Sequence, residues 1–178
     1  KKKILKTLMP GFENLKHSHL RVFRELENNK IIKISFLLIL SNFKIKSLRQ
    51  YLSISNLEFK KIKIICNNYY SVTIESSKEA RLTKYKLGAE ISKQVYYLQC
   101  FIRRKNSKKV VLKVFNQWDI PAFPINGNDL KKFGLNRGKT LGVVLQKAKE
   151  WWIEKDFKPD KRQCLSMTKL IISSSTGL

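Results

Sequence analysis

The fold of this chain is decided by residues 118–157, which read WDIPAFPINGNDLKKFGLNRGKTLGVVLQKAKEWWIEKDF and hold two of its four prolines and four of its seven glycines. Within this stretch, Asn126 can cap a helix whose third residue is Asp129. A short helix is therefore predicted from about Gly127. It is expected to end at Gly134, because a glycine readily adopts the left-handed conformation that closes a helix.

A longer helix follows the polar turn at residues 136–138. From Lys139 onward, apolar residues recur at steps of three and four and define one face of an amphipathic helix: Leu141, Val144, Leu145, Ala148, Trp151 and Trp152. The two adjacent tryptophans could stack on nucleobases. Packing in the core is favoured for both, and more strongly for Trp151.

The rest of the chain also carries helical periodicity. Two capping boxes, formed by Ser55 with Glu58 and by Ser76 with Glu79, mark helix starts. The predicted helices are residues 12–28, 30–40, 43–52, 56–67, 77–88, 89–104, 108–117 and 161–172. Residues 69–74 concentrate β-branched and aromatic side chains, so one short strand is conceivable there, although a loop is favoured. We therefore predict an all-α fold.

The prolines at 121–124 mark the one plausible domain boundary, because no repeat of fixed period and no Gly/Ser linker divides the chain. We predict a lead-in at 1–11, a multi-helix, RNA-binding body at 12–117, a smaller helical tail at 118–172 and a disordered end at 173–178. The first residue is lysine, so the chain is expected to be the later part of a longer product or a truncated copy.

The charge of the chain points to a polyanionic partner. Its 178 residues contain 37 Lys and Arg against 13 Asp and Glu, a formal net charge of +24. Nucleic acid is the leading candidate. Drift toward AT-rich codons is the alternative explanation, and an anionic membrane surface is a minor one. The most apolar run, residues 31–40, is about half the length of roughly 20 residues that a membrane span needs, so no membrane partner is predicted.

Cysteine and histidine spacing gives no metal site. Cys66, Cys100 and Cys164 stand far apart without a C-x-x-C motif, which fits reduced thiols in the cytoplasm. His17 and His19 are two residues apart and would point in different directions on a helix.

Four spaced motifs carry a family resemblance. They are FPI-x-G-x-DL at 123–130, GL at 134–135, GK-x-LG-x-x-L at 138–145 and AKEWWIE-x-DF at 148–157. This combination resembles the C-terminal end of bacterial CCA-adding tRNA nucleotidyltransferases of the poly(A) polymerase family, and the likeness extends more faintly upstream to about residue 30. The resemblance implies a body and tail that bind tRNA or another structured RNA during tRNA 3′-end processing.

The catalytic part of that family is missing from this sequence. The resemblance implies a head domain with a G-S loop and a D-x-D pair, and a neck with an E-D-x-x-R motif, and none of these strings occurs here. No catalytic residue is therefore assigned, and Mg²⁺ with ATP or CTP is implied only for a complete enzyme with its head domain, which would be encoded elsewhere or be missing from the sequence given. A stand-alone helical RNA-binding protein and a non-functional gene fragment remain open alternatives.

The candidate RNA contacts lie at helix ends. The first group surrounds the start of the long helix, where exposed N–H groups and the positive end of the dipole favour a phosphate: Arg137, Gly138, Lys139 and Thr140, extended by Lys131 and Lys132. Alternatively, Gly138 and Gly142 simply let helices pack closely. The second group is the densest positive cluster, which could equally be an ordinary exposed connection: Arg103, Arg104 and Lys105, followed by Lys108 and Lys109.

Overall fold

The computed structural model describes residues 23–24, 26, 29–41, 43–133 and 138–175, and the all-α prediction is confirmed, since these residues form helices and no strand. The chain divides into two compact units, Lys1–Trp118 and Asp119–Leu178. The described helices of the first unit are α1 (Lys30–Leu40), α2 (Leu48–Tyr51), α3 (Asn56–Ser71), α4 (Ser77–Leu87), α5 (Ala89–Arg103) and α6 (Lys109–Gln117). Those of the second unit are α7 (Gly127–Lys131), α8 (Lys139–Glu154) and α9 (Lys161–Ser175).

The first unit is built around α3 and α5, which pack on α1, α4 and α6. Its main core contains side chains at most 1% exposed, among them Phe36, Ile65, Val95, Leu98 and Val111. A second apolar cluster lies around the short α2 and the 3₁₀ turn Ile45–Ser47 that precedes it. Burial of these side chains supplies most of the stabilisation that holds the helices together.

Both predicted capping boxes of this unit are confirmed. Ser55 Oγ accepts a hydrogen bond from the Glu58 N–H (3.2 Å), and Glu58 Oε2 accepts one from the Ser55 N–H (2.8 Å). Ser76 and Glu79 make the same reciprocal pair at 3.3 and 2.8 Å. Each box provides acceptors for backbone N–H groups that have no intrahelical partner at the start of a helix. The local sequence therefore determines where α3 and α4 begin.

The strand considered at residues 69–74 is not formed. Helix α3 runs four residues beyond its predicted end, to Ser71, and the segment that follows it is an unpaired extended connection. The Gln99 side chain donates from Nε2 to the carbonyls of Tyr69 (3.2 Å) and Val72 (2.6 Å). These carbonyls at the helix end are therefore satisfied by an amide from α5 instead of by a neighbouring strand.

A buried lysine joins α4 to the end of α6. Lys84 is 8% exposed, and its Nζ donates to the carbonyls of Val114 (3.2 Å), Phe115 (3.0 Å) and Trp118 (2.5 Å). The last carbonyls of a helix have no intrahelical partner and carry the negative end of its dipole. The ammonium group thus satisfies the end of α6 from a different helix.

The second unit packs α8 against α9 and α7. The confirmed capping box of α7 joins the Asn126 N–H to Asp129 Oδ2 (3.0 Å) and the Asp129 N–H to Asn126 Oδ1 (3.3 Å). Asp129 also pairs with Lys161 Nζ at 2.7 Å, which ties α9 to α7. Helix α7 ends at Lys131, three residues before the end predicted at Gly134, and Gly134 itself lies outside the described residues.

Helix α9 begins with a capping box that was not predicted from the sequence. The Gln163 N–H donates to Asp160 Oδ1 (2.8 Å), and the Asp160 N–H donates to Gln163 Oε1 (3.0 Å). The turn before it contains Asp156 and Phe157, both in the left-handed region with φ of 61° and 62°. The Phe157 N–H closes this turn on the Trp152 carbonyl at 3.0 Å.

The C-terminal end predicted to be disordered from residue 173 is helical as far as Ser175. The Ser173 and Ser174 hydroxyls donate to the carbonyls of Leu170 and Ile171, both at 3.0 Å, so small polar residues are accommodated in the last turn. Residues 176–178, the lead-in at 1–11 and most of the helix predicted at 12–28 lie outside the described residues. No helix in the described ranges is both long enough and apolar enough to cross a membrane.

Candidate nucleic-acid interface

The connection between α5 and α6, residues 103–109, forms a surface that we call the basic turn. All of its residues are exposed, and it carries Arg103, Arg104, Lys105, Lys108 and Lys109. The second group of predicted RNA contacts, including Lys108 and Lys109, therefore lies together at one surface.

Arg104 ends α5 in a conformation that arginine rarely adopts. Its φ and ψ are 53° and 40°, in the left-handed region, and the next N–H, that of Lys105, bonds to the Cys100 carbonyl at 2.9 Å. Helices commonly close in this way, but with glycine at the left-handed position. A side chain there costs about 1 kcal/mol. The helix end thus keeps a guanidinium group at the expense of stability.

Two lysines of the basic turn are held in place by one carboxylate. Glu75 accepts from Lys105 Nζ at 2.8 Å and from Lys108 Nζ at 3.1 Å, and Lys108 Nζ also reaches the Glu75 carbonyl at 2.8 Å. The hydrogen bonds and charges of the two lysines lower the pKa of Glu75 to about 2. Glu75 is therefore ionised at neutral pH and orders both ammonium groups at the surface.

The remaining cations are available to a ligand. The side chains of Arg103, Arg104 and Lys109 make no hydrogen bond or ion pair with any described residue, and the same holds for Lys113, one turn further along the outer face of α6. Residues four apart on a helix lie on one side. On the same helix, Asn116 accepts a bond from Lys93 of α5 at 3.4 Å. The positive surface thus continues from the basic turn along α6.

The start of α6 adds backbone donors to this surface. Unlike α3 and α4, it has no side-chain cap and no acidic residue in its first turn. In the described part of the chain, the N–H groups of Lys109 and Val110 have no acceptor, whereas the Lys108 N–H bonds to Tyr96 Oη at 2.6 Å. Unsatisfied N–H groups at the positive end of a helix favour an anion.

A narrow cleft beneath the basic turn limits what can be recognised there. It is lined by Ile74, Tyr96, Gln99 and Cys100 below and by charged side chains at its mouth, and its volume is about 20 Å³. That volume admits roughly one water molecule. A nucleobase does not fit inside this cleft, and the exposed cations and backbone N–H groups around it suit phosphate groups.

The first group of predicted contacts is described only in part. Arg137 and the side chain of Lys139 lie outside the described residues, while Thr140 is exposed. Gly138 has φ of 153°, a conformation that essentially only glycine adopts. A Cβ at Gly138 or at Gly142 would meet no atom within 4 Å, so close helix packing does not explain either glycine among the described neighbours.

The two lysines predicted to extend the first group lie at the end of α7. Lys131 and Lys132 are both exposed, and Lys131 Nζ bonds to Asn128 Oδ1 at 2.9 Å. Both belong to the second unit, whereas the basic turn belongs to the first.

Core packing was predicted for both tryptophans, and it is confirmed for Trp152. Trp152 is 1% exposed and donates from Nε1 to the Pro159 carbonyl at 3.1 Å, whereas Trp151 is half-buried at the edge of the α8–α9 pair. The stronger preference for core packing predicted for Trp151 is therefore wrong. Adjacent helical residues point about 100° apart, so once α9 and Phe157 enclose Trp152, its neighbour is turned toward the surface.

No metal-binding cluster of three or more His, Cys, Asp or Glu residues occurs among the described residues, and His17 and His19 lie outside them. The three cysteines are free thiols. Burial raises the pKa of the Cys66 thiol to about 11, which makes it a poor nucleophile at neutral pH.

Comparison with known proteins finds relatives that match only part of the chain. No protein-family model matches the chain. A 70-residue segment, 39% of the chain, is 34% identical to the mitochondrial CCA tRNA nucleotidyltransferase 1 of Homo sapiens and covers 16% of that protein. The Mus musculus protein of the same name is 33% identical over 70 residues, and that of Danio rerio is 36% identical over 56 residues.

The similarity thus spans about one sixth of the length of the human and mouse relatives (16% of each). The predicted relation to CCA-adding enzymes is supported over this part of the chain. These relatives are vertebrate mitochondrial proteins, so the comparison does not support a specifically bacterial relation.

Proposed function

We propose that this chain is a tRNA-binding portion of a CCA-adding tRNA nucleotidyltransferase and takes part in tRNA 3′-end processing. The observation that carries the proposal is the basic turn, where Arg104 keeps an exposed cation at a left-handed position that favours glycine. The similarity to CCA tRNA nucleotidyltransferases supports tRNA as the ligand among structured RNAs.

The proposed contact is with the RNA backbone. The guanidinium groups of Arg103 and Arg104 and the first N–H groups of α6 bind phosphates, and Lys109 and Lys113 extend the contact along the helix. Glu75 keeps Lys105 and Lys108 ordered beside them. Contacts of this kind position an RNA without reading its sequence.

Nucleotide addition requires further polypeptide. Carboxylates must hold two metal ions at the incoming triphosphate and the attacking hydroxyl, and we assign that role to a catalytic head outside these residues, which would use Mg²⁺ with ATP or CTP. The sequence motifs resemble bacterial CCA-adding enzymes, whereas the relatives found by comparison are named mitochondrial enzymes. The proposal therefore rests on the CCA-adding activity that both groups have in common. For the compartment, the relatives' names favour the mitochondrion over the predicted cytoplasm.

The test compares two charge reversals that change the net charge equally. The variant Arg103→Glu with Arg104→Glu alters the basic turn, and the control Lys60→Glu with Lys63→Glu alters exposed lysines on α3. Each lost phosphate contact should weaken tRNA binding about eightfold at 0.1 M salt. The association constant should also depend less on salt, because the negative slope of its logarithm against the logarithm of the salt concentration should become about 0.9 less steep. We expect roughly a sixtyfold loss for the basic-turn variant and a much smaller loss for the control.

The titration should use tRNA and a single-stranded RNA of equal length, at low and moderate salt. Equal losses in both variants would mean that the charge of the chain acts without a defined site, and this proposal would be wrong. Equal affinity of the native chain for the two RNAs would likewise contradict a tRNA-specific role.

Arg104→Gly separates binding from folding. Because glycine adopts the left-handed conformation without the steric cost of a side chain, the free energy of unfolding should rise by up to about 1 kcal/mol. The affinity for tRNA should fall about eightfold, as expected for one lost phosphate contact. Thermal melting and filter binding on the same preparation measure both quantities. A variant that is more stable and binds tRNA unchanged would remove Arg104 from the interface.

A further inference from the structure

The two adjacent tryptophans of the second unit differ in burial. Trp152 lies in the core. Its ring is edge-on to that of Phe157, with 5.0 Å between the ring centroids, and is tilted against that of Phe123, with 5.3 Å between the centroids. Trp151 is half-buried, and its indole N–H bonds to no described residue. Buried indole N–H groups usually find a partner. The indole of Trp151 is therefore a large aromatic surface that the fold of this unit leaves incompletely covered.

Trp151 forms one wall of an open groove between α8 and α9. The groove has a volume of about 360 Å³, within the range of roughly 300–1,000 Å³ that is typical of ligand sites. Its other wall comes from residues of α9 spaced three and four apart, namely Arg162, Gln163, Ser166, Met167 and Leu170. Leu170 is 64% exposed, so the apolar floor is accessible.

The rim of the groove offers hydrogen-bond donors and no carboxylate. Gln163 uses Oε1 to accept from the Asp160 N–H (3.0 Å), which fixes its side chain, and its Nε2 bonds to no described residue. Arg162 makes no ion pair or side-chain hydrogen bond with any described residue, while the Ser166 hydroxyl donates to the Arg162 carbonyl (3.1 Å). An indole beside a guanidinium group and an amide donor is complementary to a planar ring that bears acceptors and carries an adjacent negative charge.

We propose that this groove binds an unpaired nucleobase of the RNA, stacked on Trp151, with Arg162 paired to the neighbouring phosphate and Gln163 donating to the edge of the base. The inference rests on the proposed function for the identity of the RNA. It assigns a second mode of recognition, because the cleft beneath the basic turn has no space for a base. Stacking tolerates any base, and every base offers an acceptor to a single amide donor, so the groove adds affinity for single-stranded nucleotides with little selection of sequence.

The test replaces Trp151 in the full chain and compares three ligands. Trp151→Leu keeps an apolar side chain but removes the aromatic face, and Trp151→Phe keeps a smaller ring. Leu57→Ala is the control, because Leu57 is an apolar residue that is 64% exposed, belongs to the first unit and does not line the groove. The ligands are tRNA, a short single-stranded RNA and an abasic strand of the same length, which has the phosphates without the bases.

We expect Trp151→Leu to weaken binding of tRNA and of the single-stranded RNA about five- to a hundredfold, as is typical for loss of one stacked base. The salt dependence should not change, because no phosphate contact is lost. Binding of the abasic strand should be unaffected, Trp151→Phe should restore most of the affinity, and Leu57→Ala should bind as the native chain does. RNA should also quench tryptophan fluorescence in the native chain and do so much less in Trp151→Phe.

The outcomes separate this inference from the proposed function. If Trp151→Leu melts normally and binds all three ligands like the native chain, while the Arg103→Glu/Arg104→Glu variant binds weakly, the groove assignment is wrong and the proposed function stands. If neither variant changes tRNA binding, both are wrong. If Trp151→Leu changes only the sedimentation mass, the groove is covered by a second copy of the chain and the base assignment is overturned.

Discussion

The two units of this chain differ in charge and in what they expose. Residues 1–118 carry 26 Lys and Arg against 7 Asp and Glu, a formal charge of +19, whereas residues 119–178 carry 11 against 6, a charge of +5. The first unit exposes a continuous positive surface along the basic turn and α6. The second exposes an aromatic groove. The difference indicates that most of the net charge lies in the first unit, whereas the second unit is distinguished by its exposed aromatic groove.

The interiors differ as well. The first unit buries the charged group of Lys84 against backbone carbonyls, and the second is organised around the indole of Trp152. Each unit therefore depends on one side chain whose loss should be felt mainly by its own helices. Substitutions at these two positions test whether different interactions stabilise the interior of each unit.

The largest effect is expected for Trp152→Ala. Removing a side chain that is 1% exposed leaves a cavity lined by Phe123 and Phe157 and should lower the free energy of unfolding by about 3–5 kcal/mol. Trp151→Ala is the control, and its cost should be clearly smaller because that side chain is half-buried. Urea denaturation followed by circular dichroism measures both values. Equal costs would contradict the assignment of Trp152 as the core residue.

A smaller effect is expected for Lys84→Met in the first unit. Methionine keeps most of the side-chain volume but leaves the carbonyls of Val114, Phe115 and Trp118 without their donor, which should cost about 1–3 kcal/mol. Lys86→Met makes the same substitution at an exposed position of the same helix. The two free energies of unfolding are measured by denaturant titration. A cost no greater at 84 than at 86 would show that the buried ammonium group does not hold the end of α6.

The smallest effect concerns pH and the carboxylate of the basic turn. The pKa of Glu75 is about 2 in the folded chain and near 4.5 without its lysine partners, so its contribution to stability is present at neutral pH and is lost as the pH falls from about 4.5 toward 2. The melting temperature of Glu75→Gln should therefore lie slightly below that of the native chain at pH 7, and the gap should close on acidification. A gap that stays constant between pH 7 and pH 2 would contradict this role.

Local features of the fold were predictable from sequence. The boxes at Ser55, Ser76 and Asn126 each involve residues three apart, so the information for the start of the helix lies within one turn. The box at Asp160 has the same spacing and was missed because Pro159 marked the segment as a turn. The end of α3 was predicted too early because the residue that satisfies its last carbonyls, Gln99, is about 30 positions away.

In the candidate site too, features encoded by neighbouring residues were predictable, whereas features that depend on distant residues were not. The density of positive charge at Arg103 to Lys105 is visible in the sequence, but Glu75 lies about 30 residues earlier and is brought beside it only by the packing of α5. The periodicity of α8 separates Trp151 from Trp152 by about 100° without saying which one faces inward. That choice depends on where α9 and Phe157 pack, which is a tertiary property.

Arg104 has a consequence for how this sequence can change over generations. At its left-handed position, a mutation to glycine would ease folding, so selection for stability alone acts against the arginine. A gene copy released from RNA binding would be expected to lose the side chain early and to suffer no loss of stability in doing so. If the proposed function holds, related sequences that bind RNA are expected to keep a cation at this position, and copies released from that role are expected to lose it.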